Sequence, residues 1–255
     1  MNLVRVATAH GPRHADLQDG QLLWLTGDWA LGFRPTGERA ALGDTRLLAP
    51  VTPSKVVAVA RNYAQHAAEM GAEMPDEPRI FLKPSTSVVG PGDAVAIPPR
   101  TTRVDPEGEL GVVIGRTLTR GTRDTVMDAV FGYTIVNDVT ARDFQKKDGI
   151  FGRAKGFDTF CPIGPSVVTG LDARDLALQL HVNGELRQDG RTSQMHFDVP
   201  TLLVWISSIM TLLPGDVIAT GTPSGIAPIV AGDVVRVTIE GIGTLENPVV
   251  DREDR

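Results

Sequence analysis

Cysteine is nearly missing from this chain: Cys161 is the single one among 255 residues. One cysteine excludes an internal disulfide and fits a reducing compartment. With Pro162 beside it and no base nearby in sequence, Cys161 reads as a packing residue. Long apolar runs are missing too. The opening Met1-Asn2-Leu3-Val4-Arg5-Val6 lacks the apolar core of a secretion signal, and no later stretch approaches the roughly 18–20 residues of a membrane helix. There is no Lys/Arg cluster either, and acidic residues outnumber basic ones, 31 to 25. These absences point to a cytoplasmic protein with no membrane and no nucleic-acid partner.

What is present suits a large core, since 42% of the residues are hydrophobic. Residues 2–8 and 21–25 read as paired strands, and Pro50-Val51-Thr52-Pro53 reads as a stiff connector. The expected division is a small N-terminal unit, 1–50, and a larger one, 51–255. His10 and His14 flank a Gly-Pro turn and are expected to be solvent-facing loop residues. Gly-Asp turns at 92–93, 215–216 and 232–233 each feed a Val/Ile strand, so the body is expected to be β-rich. Asn183-Gly184 marks a hairpin. Asp124 is expected to cap a helix through about Val130. A longer helix is expected over 199–212, with Leu202, Leu203, Ile206, Ile209, Met210 and Leu213 on its core face.

Chemistry concentrates in four places. In Glu107-Gly108-Glu109, ahead of a Val/Ile strand, the two carboxylates point the same way because side chains two apart share a face. Like charges so close conflict unless a hard cation lies between them. Asp138, where the next apolar alternation stops, is either a turn-capping residue or a third ligand. Three carboxylates suit Mg²⁺ or Mn²⁺, with Ca²⁺ a further candidate, better than Zn²⁺. Asn62 and Gln65 resemble a capping box for a short helix on which His66 and Glu69 share a face. That pair is either an ordinary exposed couple or a carboxylate-oriented base. Lys155 lies in a stiff Gly/Pro loop, as a surface residue or as a charge for a substrate oxygen. Thr220-Gly221-Thr222-Pro223-Ser224-Gly225 is a structural or anion-binding turn, without the features of a P-loop.

These segments resemble, in order, the motifs of the fumarylacetoacetate hydrolase family: Asn62-Tyr63-x-x-His66-x-x-Glu69, Glu107-x-Glu109-Leu110, Asn137 to Asp143, Lys155 to Phe160, and Thr220 to Gly225. The resemblance runs from about residue 55 to the C-terminus and is closest to the short bacterial-type members. It implies an α+β, predominantly β fold, a mixed β-roll behind a small N-terminal α/β segment, assembled as a homodimer. It implies a Mg²⁺ or Mn²⁺ held by Glu107, Glu109 and Asp138, with His66 and Glu69 as acid/base dyad and Lys155 stabilising negative charge. By the same resemblance Arg142, Gln145 and Thr222 orient the substrate, a 2-oxo acid reacting through an enolate. Three readings stand: hydrolysis or decarboxylation of acylpyruvate-like or oxaloacetate-like acids, isomerisation or decarboxylation of unsaturated dicarboxylates of aromatic degradation, and a non-catalytic metal-binding β protein. Two departures accompany the match. Asp105-Pro106 stands where members commonly carry an aromatic, and Asp105 threatens to crowd the site with a further anion; Phe151 stands where tryptophan is usual.

Overall fold

The structure is a computed structural model describing residues 1–29 and 31–252. Five strands build the N-terminal part: β1 (Asn2–Val6), β2 (Arg13–Gln18), β3 (Gln21–Asp28), β4 (Gly32–Ala41) and β5 (Leu47–Leu48). There follow β6 (Val56–Ala60), α1 (Ala64–Glu69), β7 (Arg79–Lys83), β8 (Val88–Val89), β9 (Val95–Ile97) and β10 (Val104–Asp105). The middle of the chain holds β11 (Gly108–Ile114), β12 (Val130–Asn137), β13 (Thr140–Ala141), α2 (Arg142–Asp148), α3 (Gly152–Lys155) and β14 (Cys161–Val168). It closes with β15 (Ala177–Val182), β16 (Glu185–Arg191), α4 (Val199–Ile209), β17 (Val217–Ala219), β18 (Val234–Ile239) and β19 (Gly243–Asp251).

Twelve strands share one mixed sheet, along the path β4-β3-β2-β1-β14-β12-β11-β17-β6-β7 with β5 on β1 and β8 on β14. A second sheet runs β16-β15-β18-β19-β9, and β10 pairs with β13. The central strands are Val/Ile-rich because both their faces are covered. In β11 every residue is buried. Leu110, Val112 and Ile114 join the main core with Leu178, Leu180, Val235 and Val237 of the second sheet. Val113, on the other face, packs with Val136, Cys161 and Ile163. Cys161 is fully buried, and burial pushes its thiol up to about 12, so it packs as a small apolar group.

The β-rich body with few helices is as expected, and so is the hairpin at Asn183 and Gly184, both with positive φ. Several local expectations are corrected. Among the described residues the N-terminal segment is strands alone, not α/β, because short alternating runs joined by tight turns bury one face of a sheet. His14 lies on β2, part-buried, with its ring 4.8 Å from Phe33 and 6.2 Å from Trp29. Asn62 does not cap α1, whose N-cap is Tyr63. Its amide donates to the carbonyls of Phe197 and Thr220 and accepts from the Phe197 N–H, so it ties two distant loops together. Asp124 caps nothing either; a single 3-10 turn, Val126–Ala129, follows Thr125. Helix α4 stops at Ile209 because Leu212 leaves it to exchange backbone hydrogen bonds with Leu118. Ile209 and Leu213 are accordingly exposed, while Leu202, Leu203 and Ile206 are core.

Candidate active site

The register of β11 on β12 places the acidic groups. Gly108 pairs with Asn137, and just beyond them the Asp138 N–H donates to the Glu107 carbonyl at 2.8 Å. Glu107, Glu109 and Asp138 are all buried, and one carboxylate oxygen from each lies within 4.8 Å of the other two. Gly108 is required between the two glutamates. A Cβ there would stand 2.9 Å from Val237 Cγ1, so the second sheet packs directly on the strand while both carboxylates face away from it. Gly221 serves the same site from the other side. Its φ of +98° and the 2.7 Å from a built Cβ to Asn62 Cβ exclude a side chain, and its N–H donates to Glu109 Oε2 at 2.8 Å.

Cations surround this cluster unevenly. Lys155 Nζ donates to Glu107 Oε2 at 2.6 Å and to Asp138 Oδ2 at 2.5 Å. Arg142 reaches Glu107 Oε1. Burial opposes ionisation of Glu107, yet Arg142, Lys155 and His66 outweigh it and hold this carboxyl well below its usual range. Glu109 is the opposite case: burial, Asp138 and Glu107 together push its carboxyl well above that range. Among the described residues no Lys, Arg or His lies within ion-pair distance of Glu109. A buried carboxylate beside two others, with no direct ion-pair partner among the described residues, fits a divalent cation, and three carboxylate donors fit a hard one.

The dyad expected from spacing is a contact in the structure. His66 Nδ1 lies 3.2 Å from Glu69 Oε2, and Nε2 lies 3.7 Å from Glu107 Oε1. Glu69 is itself held by the Gly225 N–H at 3.1 Å. With Nδ1 turned to Glu69, His66 presents Nε2 to a cavity of about 70 Å³ that Glu107, Glu109, Arg142, Lys155 and Thr222 also line. Gln145 reaches the same cavity and accepts from Arg142 at 3.0 Å. The Thr222 hydroxyl is committed within the protein, donating to the Gly108 carbonyl and accepting from Gln188, both at 2.8 Å. Phe151 lines the cavity and stacks on Phe81, ring centres 4.8 Å apart.

Asp105 does not crowd the acidic cluster. It is fully buried and neutralised by Arg103 and Arg142, each at 2.9 Å, so it fixes Arg142 in place. Two supporting residues escaped sequence reasoning. Lys83, at the end of β7, has no exposed surface and donates to Asp138 Oδ1 at 2.5 Å and to the Lys155 carbonyl at 2.7 Å. Gln188 of β16 accepts from the Gly108 N–H at 2.9 Å and donates to Pro223 O at 2.7 Å. The one available hint for Lys83 was a lysine at the end of a strand that otherwise reads as core.

Residues 55–250 match the family model described as fumarylacetoacetate (FAA) hydrolase C-terminal, and residues 1–50 match that described as Rv2993c-like, N-terminal. The chain belongs to the fumarylacetoacetate hydrolase family. Its fold is shared with a 2-hydroxyhepta-2,4-diene-1,7-dioate isomerase from Mycobacterium marinum, at 46% identity, TM-score 0.93 and full coverage of both chains. It is also 44% identical over 224 residues to the oxaloacetate tautomerase YisK of Bacillus subtilis, across 82% of this chain and 74% of that protein. A maleylpyruvate hydrolase from Sphingobium sp. SYK-6, solved with manganese(II) and pyruvate, superposes with TM-score 0.82 at 31% identity, covering 99% of this chain and all of that one. This member of the fumarylacetoacetate hydrolase family is an enzyme, and its buried carboxylate cluster suits a divalent metal.

Proposed function

We propose that this enzyme acts on 2-oxo acids or their enols, hydrolysing or decarboxylating acylpyruvate-like or oxaloacetate-like substrates. The observation that carries the reading is the placement of His66 Nε2, freed by the Nδ1 contact with Glu69, on the same small cavity as three carboxylates and Lys155. Glu107, Glu109 and Asp138 would hold a Mg²⁺ or Mn²⁺, which supplies Lewis acidity toward the oxygen of an enolised 2-oxo acid. The chain's own residues do the rest. Lys155, kept charged because Asp138 and Glu107 outweigh its burial, offers its ammonium to a substrate oxygen as negative charge develops. Arg142, fixed by Asp105 and Gln145, orients the substrate. In hydrolysis His66 takes a proton from water as the water oxygen bonds to the acyl carbon. The bond from that carbon to C3 of the 2-oxo acid breaks, its electron pair passes to the 2-oxo acid half, and C3 receives the proton that His66 took from water.

A second reading, isomerisation of unsaturated dicarboxylates in aromatic degradation, is favoured by the similarity to the M. marinum isomerase. Proton transfer at a carbon beside the keto group serves both, so His66 keeps its role. The same proposal takes the enzyme as a homodimer, as the family resemblance implies, and, from the single cysteine and the proline connector, as cytoplasmic with residues 1–50 as a separate N-terminal unit.

Ultraviolet assays of metal-stripped protein on acylpyruvates, oxaloacetate and 2-hydroxydienoates test the reading. Turnover is expected to return with Mg²⁺ or Mn²⁺. His66→Ala is expected to lower it by about 10²–10⁴-fold, with Mn²⁺ affinity retained. Absence of metal-dependent turnover on every substrate would leave only the non-catalytic metal-binding alternative.

A further inference from the structure

A second cavity, of about 580 Å³, is far larger than the one of about 70 Å³ beside His66, and it falls within the roughly 300–1,000 Å³ of ordinary ligand pockets. It lies between β12, the start of α4, the 3-10 turn Val126–Ala129 and the segment 171–174. Among the described residues no side chain lines both cavities, so this one is not an annex of the active site. Its walls are tied together from behind. The buried Thr192 hydroxyl accepts from the Leu176 N–H and donates to the Ala173 carbonyl, both at 2.8 Å. Asp198 fixes the first turn of α4 by accepting from the Thr201 N–H at 2.9 Å, and Met195 meets Tyr63 in a β-bridge. The space is therefore preformed.

The lining suits a flat ring. Met127, Tyr133, Leu171, Met195, Val199 and Pro200 give it apolar surface, and two thioethers with a tyrosine make favourable contacts to an aromatic ligand. The charges at its mouth cancel in pairs: Arg123 is bound to Asp198 and Arg174 to Asp172, with all four side chains more than half exposed. One polar group stays uncommitted. Tyr133 is only 7% exposed, yet its hydroxyl has no hydrogen-bond partner among the described residues. Burial and the nearby Asp172 push its phenol above the ordinary value, so at neutral pH it is a donor without an acceptor. The same Asp172 repels an acceptor that carries a full negative charge.

We propose that this cavity is a second ligand site, separate from the active site, which takes an uncharged aromatic molecule of one or two rings with a hydrogen-bond acceptor directed at the Tyr133 hydroxyl. The rings lie against Met127, Met195 and Val199. The acceptor satisfies the one buried polar group that the fold leaves unpaired on this wall.

Methionine ¹³C-methyl NMR of the Mg²⁺-loaded protein reads the site directly, because Met127 and Met195 line this cavity and Met70 lines the one beside His66. The probes are 2-naphthamide, uncharged with a carbonyl acceptor, and 2-naphthoate, the same two rings with a carboxylate. The amide is expected to shift the Met127 and Met195 methyls in a saturable way and to leave Met70 in place. The naphthoate is expected to bind at least about five-fold more weakly. Tyr133→Phe removes the donor and keeps the ring, so amide affinity is expected to fall about five-fold. Met127→Trp fills the mouth from a part-exposed turn and is expected to abolish the Met195 shift. No saturable shift at Met127 and Met195, or a shift at Met70 alone, overturns the site. So does naphthoate binding as tightly as the amide, Tyr133→Phe within about two-fold of the parent, or an unchanged Met195 titration in Met127→Trp. Movement of the same two methyls on dilution of the protein alone would mean that a second copy of the chain covers the cavity, which overturns it as well. Turnover does not enter the readout, so the result is independent of the reaction proposed above.

Discussion

Around Glu107, Glu109 and Asp138, carboxylates and cations are sealed between strands: the side chains of Lys83, Lys155 and Asp138 keep 0%, 5% and 1% of their exposure. At the head of α4, Arg123 and Asp198 form a pair of the same chemistry, at a similar distance, with 61% and 51% exposed. The difference is dielectric. At α4 water screens each charge, so losing a partner leaves the other solvated and costs little. Within the sheet a charge that loses its partner has nowhere to go, and the arrangement of every remaining charge depends on the loss. The buried network is accordingly where a cation can be held and a base aimed, while the exposed one serves only to start a helix.

Lys83→Met tests this most severely. It leaves Asp138 without one of its two buried lysine partners, and the cost is expected at about 3–5 kcal/mol, read from urea unfolding with the metal removed. Adding Asp138→Asn to Lys83→Met is expected to recover part of the loss; a recovery of nothing would mean that Lys83 packs rather than pairs. Glu109→Gln is the next step down and has two opposite consequences. Divalent affinity is expected to fall by at least about 100-fold, measured by Mn²⁺ titration. Without metal, the variant is expected to be more stable than the parent at neutral pH. Burial, Asp138 and Glu107 raise the Glu109 carboxyl above its unfolded value, so the folded state binds that proton more tightly. Stability then falls as pH rises above the ordinary carboxylate range, and removing the group removes the slope.

The legibility of these two regions from sequence differed for a physical reason. Glu107 and Glu109, two apart on a strand, and His66 and Glu69, three apart on a helix, meet through local geometry, so spacing alone brings each pair together. Lys155 and Asp138 needed the family resemblance, since nothing local joins them. Gln188 carries no signal and Lys83 only its place at the end of a strand, because their partners are 80 and 55 residues away and the pairing of strands that joins them has no local code. Asn62 shows the same effect in reverse. Its position invited a cap, and a contact with Phe197, 135 residues on, took the side chain instead. The predominantly β body followed from alternation and Gly-Asp turns, whereas the end of α4 depended on the remote Leu118 backbone.

Asp198→Ala is the mildest break and the control for the other two. Asp198 accepts from the Thr201 N–H at 2.9 Å as the N-cap of α4 and also pairs with Arg123. Partial burial opposes its ionisation, but hydrogen bonds from Arg123 and from the Thr201 hydroxyl and N–H outweigh it and hold the carboxyl at about 2. Because that value lies below the unfolded one, the contribution is complete above the ordinary aspartate range and is lost as pH falls through about 2. Replacement is expected to cost about 1 kcal/mol at neutral pH, with Mn²⁺ affinity unchanged, and the gap between parent and variant is expected to close in acid. If Asp198→Ala instead cost as much as Lys83→Met, exposure would not be what separates the two networks, and the contrast between them would have to be sought in packing.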